Sequence, residues 1–169
     1  MAEPIKTVAV LVANPALSSI LSMTLAGVSS LRVRPFETQL ALMTYLRLAP
    51  ADLVVADFDS VPSRADKLAG DLRNDRTIGA RNLQVIALAS ALTPETKAAS
   101  IHAGIDEIIM KPMSPKYLVE RVLARLATKR TSTASTQRSE KRVSLRKRDW
   151  SSFGDNVVPL RQPQLERPL

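Results

Sequence analysis

The run Asp52-Leu53-Val54-Val55-Ala56-Asp57-Phe58-Asp59 decides the fold of this chain. Four apolar residues, three of them branched, are followed abruptly by carboxylates. This pattern is typical of a parallel strand that helices cover on both faces. Parallel α/β sheets carry their chemistry at the carboxyl ends of the strands. We therefore expect Asp57 to lie at that edge, as an acid, a metal ligand or a nucleophile.

Strand and helix patterns alternate five times between residues 6 and 126. Three of the helices begin where a capping residue precedes a proline, which suits the first helical position because it has no N–H to leave unpaired. These starts are Asn14-Pro15, Thr93-Pro94 and Ser114-Pro115. The alternation predicts an α/β fold with a five-stranded, parallel, doubly wound sheet and residues 53–56 at its centre.

Composition restricts the possible functions further. The 169 residues include no cysteine, which excludes disulfides and thiolate metal sites. No apolar run is long enough to span a bilayer, and the amino terminus does not resemble a signal peptide. We therefore expect a soluble, cytoplasmic protein that does not bind membranes.

The net charge of +8 lies mostly near the carboxyl terminus, because residues 128–169 carry ten Lys/Arg against four Asp/Glu. Ten of the residues from 128 to 152 are Ser or Thr, and apolar periodicity stops. Such a stretch buries too little apolar surface to offset its ordering entropy. We predict one folded domain over residues 1–127 and a basic, disordered tail over 128–169. Within this tail, residues 143–150, Phe153 and residues 157–160 are either plain disorder or a segment that folds on a partner. The basic run 138–148, with Trp150 and Phe153 after it, binds nucleic acid or a protein partner, or folds back on the domain, in the alternatives that the sequence leaves open.

With Asp57 closing the third strand and Lys111-Pro112 following the fifth, residues 6–126 resemble the receiver domain of two-component response regulators, which has a flavodoxin-like fold. The run 52–57 and the motif Gly104-Ile105-Asp106-Glu107 support the resemblance. It implies that Asp57 accepts a phosphoryl group from a histidine kinase or phosphotransfer protein, and that Lys111 contacts the phosphoryl oxygens. A placed cation suits this role because phosphoryl transfer spreads negative charge over those oxygens.

The chain departs from the family pattern at four positions. The two acids that bind Mg²⁺ in the family fall on Val12 and Ala13, which leaves Asp57 and, weakly, Asp59 as ligands and makes a Mg²⁺ cofactor doubtful. The two residues that respond to the phosphoryl group in the family, one with a hydroxyl group and one aromatic, fall on Ala89 and Ile108, although Ser90 follows one position later. The sequence therefore indicates an atypical receiver.

Two functions from different classes remain open. The first is a stand-alone, phosphorelay-type response regulator that is not an enzyme and acts through protein–protein contact with a downstream signalling protein. By resemblance, that contact uses the fourth helix, fifth strand and fifth helix. The alternative is a nucleic-acid-associated protein whose basic tail binds phosphates while the folded domain serves as a scaffold. For Asp57 itself, a purely structural salt bridge with Lys111 is the competing interpretation, and His102 is expected to be a surface residue.

Overall fold

The structure is a computed structural model, and it describes residues 4–79, 82–128 and 157–159. In chain order the elements are β1 (Lys6–Leu11), α1 (Pro15–Ala26), β2 (Leu31–Phe36), α2 (Gln39–Leu48), β3 (Leu53–Asp57), α3 (Ala65–Asn74), β4 (Gln84–Ala89), α4 (Pro94–Ala103), β5 (Glu107–Met110), α5 (Pro115–Ala127) and β6 (Val157–Pro159). Within these ranges, no helix combines the length and apolar character needed to cross a membrane.

The strands form one sheet in the order β2-β1-β3-β4-β5-β6. The first five run parallel, and β3 lies between β1 and β4 with Val55 opposite Val10 on one side and Ile86 on the other. All five residues of β3 are buried. The predicted five-stranded parallel sheet is confirmed, with the predicted strand at its centre.

Helices cover both faces of the sheet, as a strand buried on both faces requires. Alternate residues of β3 point to opposite faces. Val54 and Ala56 pack with side chains from α2, α3 and α4, whereas Leu53 and Val55 pack with side chains from α1 and α5. The resulting three-layer packing leaves only the strand ends and the sheet edges open to chemistry.

The three cap-and-proline helix starts are found where the sequence predicts them. The side chains of Asn14, Thr93 and Ser114 each accept a hydrogen bond from a backbone N–H in the first helical turn, with a proline at the start of each helix. These caps satisfy N–H groups that have no partner inside the helix.

The motif from Gly104 to Glu107 proves to be largely structural. Gly104 ends α4 with a φ of 78°, in the left-handed region that favours glycine. Asp106 is buried, and its Oδ2 accepts hydrogen bonds from the backbone N–H of Val85 at 2.8 Å and from Arg73 at 3.2 Å. These contacts tie the start of β5 to β4 and α3.

Glu107 places a fully buried carboxylate in β5, with 0% of the residue exposed. Arg121 of α5 approaches its Oε1 at 2.6 Å through Nε, and Arg125 one turn later contacts Oε2. Arg125 also donates to the backbone carbonyl of Asp106 at 3.0 Å. The hydrogen bonds that Arg121 donates to Glu107 raise the pKa of Arg121 above its ordinary value. One carboxylate therefore fastens α5 to the sheet through two guanidinium groups.

The sixth strand is the one part of the architecture that the sequence analysis did not predict. Val157–Pro159 pairs antiparallel with β5, with Val158 opposite Ile108. For these three residues the structure differs from the predicted disordered tail. A physical reason is available, because β5 would otherwise be an edge strand with unpaired backbone groups. The rest of that tail lies outside the described residues, and its assignment stays a prediction.

Candidate functional site

Three parallel strands end side by side at the carboxyl edge of the sheet. Asp57 is the last residue of β3 and lies opposite Leu88 of β4. Lys111 directly follows β5, and its backbone N–H donates to the carbonyl of Ala89 at 2.8 Å. The Asp57 side chain is 9% exposed and that of Lys111 is 19% exposed. The edge therefore holds a largely buried carboxylate beside a largely buried ammonium group.

The structure brings all three predicted site residues into contact. Lys111 Nζ lies 2.8 Å from Asp57 Oδ1 and 2.9 Å from Asp59 Oδ2. The backbone N–H of Asp59 also donates to Asp57 Oδ1, at 3.0 Å. Among the described residues, no hydrogen bond reaches the second oxygen, Oδ2, of Asp57. This arrangement contains the salt bridge of the structural interpretation, and it also orients one carboxylate oxygen and leaves the other available as a nucleophile.

A second feature of the site is a contact between two loops. The backbone N–H of Ser90, directly after β4, donates to Asp59 Oδ2 at 2.7 Å. The same oxygen faces Lys111, although the Asp59 side chain is 41% exposed. Asp59 therefore links the loop after β3 to the loop after β4 and to Lys111. The sequence predicts Asp59 as a weak metal ligand, and its position two residues after Asp57 is the signal that could have indicated this linking role.

The surroundings of Asp59 and Lys111 favour the charged form of both side chains. Partial burial opposes ionisation of Asp59, but hydrogen bonds from Lys111 and Ser90 outweigh it and hold the pKa of this carboxyl below its ordinary value of 3.8. Burial likewise opposes the charge of Lys111, but its hydrogen bonds to Asp57 and Asp59 raise its pKa above 10.5. The Asp59 contribution to stability is thus present above pH 3.8 and lost as pH falls through the lowered pKa. The Lys111 contribution is present below pH 10.5 and lost as pH rises through the raised pKa.

The residues at the end of β1 fit a divalent cation poorly. Leu11 pairs with Ala56, so the next residue, Val12, comes beside Asp57 in register. Val12 is 3% exposed and belongs to the apolar core, whereas Ala13 is exposed and carries only a methyl group. Among the described residues, no three His, Asp or Glu side chains are grouped to hold a metal ion. Mg²⁺ prefers carboxylate oxygens. The second carboxylate at this edge, that of Asp59, already contacts Lys111 and the backbone N–H of Ser90.

The two positions at which the receiver family responds to phosphorylation hold buried apolar side chains. Ala89 ends β4 and Ile108 lies within β5, both with 0% exposed surface. Ser90 lies beyond the strand and contributes its backbone N–H to the site. A hydroxyl group and an aromatic ring are therefore missing at those two positions.

Asp59→Ala is expected to loosen the loop after β4. It removes the acceptor of the Ser90 N–H, so we expect amide exchange at Ser90 to accelerate about tenfold, which corresponds to the loss of about 1.4 kcal/mol. Hydrogen exchange followed by NMR measures this directly. In the unmodified protein, the protection of Ser90 relative to the free peptide should persist as pH falls to 3.8 and decrease only below that value.

Glu120→Ala is the matched control, because it removes an exposed carboxylate from α5, away from the Asp59 contacts. Ser90 exchange should be unchanged in that variant. Equal exchange rates at Ser90 in Asp59→Ala and the unmodified protein would show that the contact between the loops carries no stability.

The residues on which the nucleic-acid alternative depends, 138–148 with Trp150 and Phe153, lie outside the described residues. That alternative stays a prediction. His102, in the last turn of α4, is exposed as expected.

Solved structures share this fold. The receiver domain protein of Methanospirillum hungatei, described as CheY-like, superposes with a TM-score of 0.64 at 19% identity and covers 73% of this chain and 94% of its own. A response regulator described as putative from Chloroflexus aurantiacus gives 0.64 at 21% identity, with 75% and 100% covered. The BeF3-activated receiver domain of DrrB, a protein of Thermotoga maritima, gives 0.62 at 21% identity, with 73% and 99% covered.

Sequence comparison adds no further relatives, since no protein-family model and no curated protein matches the chain. At these identities the likeness is one of fold. The covered share, 73–75% of this chain, agrees in size with the part from β1 to α5, residues 6–127. The domain formed by β1 to α5 has the fold of the response regulator receiver domains.

Proposed function

We propose that this chain is a two-component response regulator of the atypical, stand-alone kind, in which Asp57 is the phosphoryl acceptor. One observation carries the proposal: Lys111 Nζ lies 2.8 Å from Asp57 Oδ1 at the carboxyl end of the central strand of a receiver fold. The donor would be a histidine kinase or phosphotransfer protein in the cytoplasm. The chain would not act as an enzyme on other molecules.

The geometry supports a simple transfer step. Asp57 Oδ2 attacks the phosphorus of the donor, the bond between phosphorus and the donor's nitrogen or oxygen breaks, and an acyl phosphate forms on Asp57. Lys111 is already protonated and beside the acceptor, so it can stabilise the charge on the phosphoryl oxygens without reorganisation. We derive no step through Mg²⁺, because the side chains of Val12 and Ala13 cannot bind a cation.

Asp59 makes this receiver atypical in a second respect. A phosphoryl group on Asp57 has to share Lys111 with a carboxylate that already contacts it at 2.9 Å. With Ala89 and Ile108 at the two responding positions, phosphorylation also lacks an evident means of favouring a second conformation. We therefore propose that the domain stays close to one conformation and that its output is protein contact through α4, β5 and α5. Among the described residues of those helices, Ile101 and Leu123 are large, exposed apolar side chains available for such a contact.

The test is intact-mass measurement after incubation with acetyl phosphate, with Mg²⁺ and with a chelator. We expect the unmodified protein to gain one phosphoryl group slowly, with little difference between the two conditions. Lys111→Ala should slow the gain further, on the order of a hundredfold, because it removes the cation that lies beside Asp57. Asp57→Asn should gain nothing.

Each departure from this pattern has a distinct meaning. Equal labelling of Asp57→Asn would place the acceptor elsewhere, and no labelling of any variant would favour the structural salt bridge. Strong Mg²⁺ dependence in the unmodified protein would show that Asp59 serves as a metal ligand after all.

A further inference from the structure

We propose that the outer edge of β5 is a strand-binding site for extended peptide segments, and that the chain's own segment Val157–Pro159 occupies it as a reversible internal ligand. The observation behind this is the antiparallel pairing of Glu107 with Pro159, Ile108 with Val158 and Ile109 with Val157. The further consequence, that β6 regulates access to the output surface, rests on the proposed function.

The direction of the backbone groups of β5 shows what the edge offers. The backbone N–H of Lys111, directly after β5, donates to Ala89 of β4 at 2.8 Å. Because backbone N–H groups alternate in direction along a strand, that of Ile109 also points toward β4, and that of Ile108 points the other way, toward Val158 of β6. An edge of this kind accepts an added strand through main-chain hydrogen bonds, and the side chains of the added strand supply specificity.

The sequence of β6 suits a short and terminating occupant. Val157 and Val158 are β-branched and favour extended backbone. Pro159, opposite Glu107, has no N–H to donate and ends the ladder, as proline does at sheet edges. The strand is three residues long, so few hydrogen bonds hold it.

The connection to the rest of the chain makes the occupancy reversible. Residues 128–156 join the end of α5 to β6, and closing a loop of this length costs conformational entropy. The same tether keeps the segment at a high effective concentration beside β5. A segment of another protein that binds the edge of β5 therefore has to displace β6, which binds weakly but is tethered nearby. In this way β6 acts as an internal competitor.

The position of β6 connects this competition to output. β5 lies between β4 and β6 in the sheet, and it is the strand of the proposed contact surface. A protein partner that adds a strand to β5 must first displace β6. We infer that the ligand of this edge is an extended, β-branched protein segment that runs antiparallel to β5.

The first measurement is amide exchange in the full chain. In the unmodified protein, the Ile108 amide should be protected. In Val158→Pro, which removes the N–H of the residue opposite Ile108 and disrupts the pairing, Ile108 should lose protection, while Ile109, whose N–H points to β4, should keep it. Val143→Pro is the matched control, since it makes the same substitution in the connection and should leave both amides unchanged.

The second measurement uses a fluorescent peptide with the sequence of residues 154–163. We expect the peptide to bind the full-length Val158→Pro variant about tenfold or more tightly than the unmodified protein, as follows if the internal strand occupies the edge about nine-tenths of the time. Val143→Pro should bind it as weakly as the unmodified chain does.

Three results would overturn the proposal. They are an unprotected Ile108 amide in the unmodified protein, equal peptide affinity in all variants, or protection of this amide only in a dimer, which would mean that β6 exchanges between copies. None of these measurements involves Asp57, so their failure and that of the phosphoryl-acceptor proposal are distinguishable.

Discussion

Glu107→Gln is expected to lower the free energy of unfolding by about 3 kcal/mol. The substitution keeps the shape of the side chain but removes the buried charge that faces Arg121 and Arg125, so each guanidinium group loses its ion pair with Glu107. Breaking a buried ion pair typically costs 3–5 kcal/mol. We expect the low end of that range because the Arg121 and Arg125 side chains keep 19% and 21% of their surface exposed. Urea denaturation followed by circular dichroism measures the change.

Two further variants separate the buried ion pair from general effects of substitution. Glu120→Gln neutralises an exposed carboxylate on the same helix and should change stability by less than about 0.5 kcal/mol. The triple variant Glu107→Leu, Arg121→Leu, Arg125→Met removes all three charges of this cluster and should recover most of the loss, because none of the three then remains buried without the other two. A Glu107→Gln protein within 1 kcal/mol of the unmodified one would mean that water reaches this carboxylate.

Ala13→Asp is expected to make phosphorylation of Asp57 dependent on Mg²⁺ and faster on the order of a hundredfold. Ala13 is exposed just beyond the end of β1, which lies next to β3 in the sheet, so a carboxylate there can reach the carboxyl edge without entering the core. It would supply the second carboxylate that a Mg²⁺ ion bound beside a phosphate requires. Intact-mass measurement over time with acetyl phosphate, at several Mg²⁺ concentrations, gives the rate.

The neighbouring substitution would not serve, because Val12 is 3% exposed among apolar side chains and an aspartate there would bury a charge. Ala13→Asn is the matched control, since it has nearly the same shape without the charge, and it should show at most a small Mg²⁺ effect. If Ala13→Asp and Ala13→Asn behave alike, the missing acid is not what limits the site.

Much of the fold could be predicted because local signals agreed with the global arrangement. The apolar run that ends at Asp57 and the caps at Asn14, Thr93 and Ser114 each determine an element through nearby residues alone. The meeting of Asp57 with Lys111 could also be predicted, since parallel strands end at one edge.

The remaining features depend on contacts between distant parts of the chain. Asp59 reaches Ser90 across two loops, and loop geometry is not encoded in hydrophobic periodicity. The buried ion pair has a signal in the sequence, because Glu107 stands in a short, otherwise apolar strand and Arg121 and Arg125 are spaced four residues apart on one helix face. Val157 and Val158 lie in a polar, basic region, where two apolar residues do not indicate a strand until an open sheet edge is known to exist.

The antiparallel direction of β6 determines how the protein responds to a pulling force. The connection from residues 128–156 enters the strand at Val157, which pairs with Ile109. Tension applied to that connection across the strands therefore loads the Ile109–Val157 pair first, and the three pairs break in succession. Tension applied along the strands instead has to break all their bonds together. A partner that binds the connection and pulls it away from β5 across the sheet can thus detach β6 at low force, while β5 stays anchored to β4 by its own ladder of hydrogen bonds.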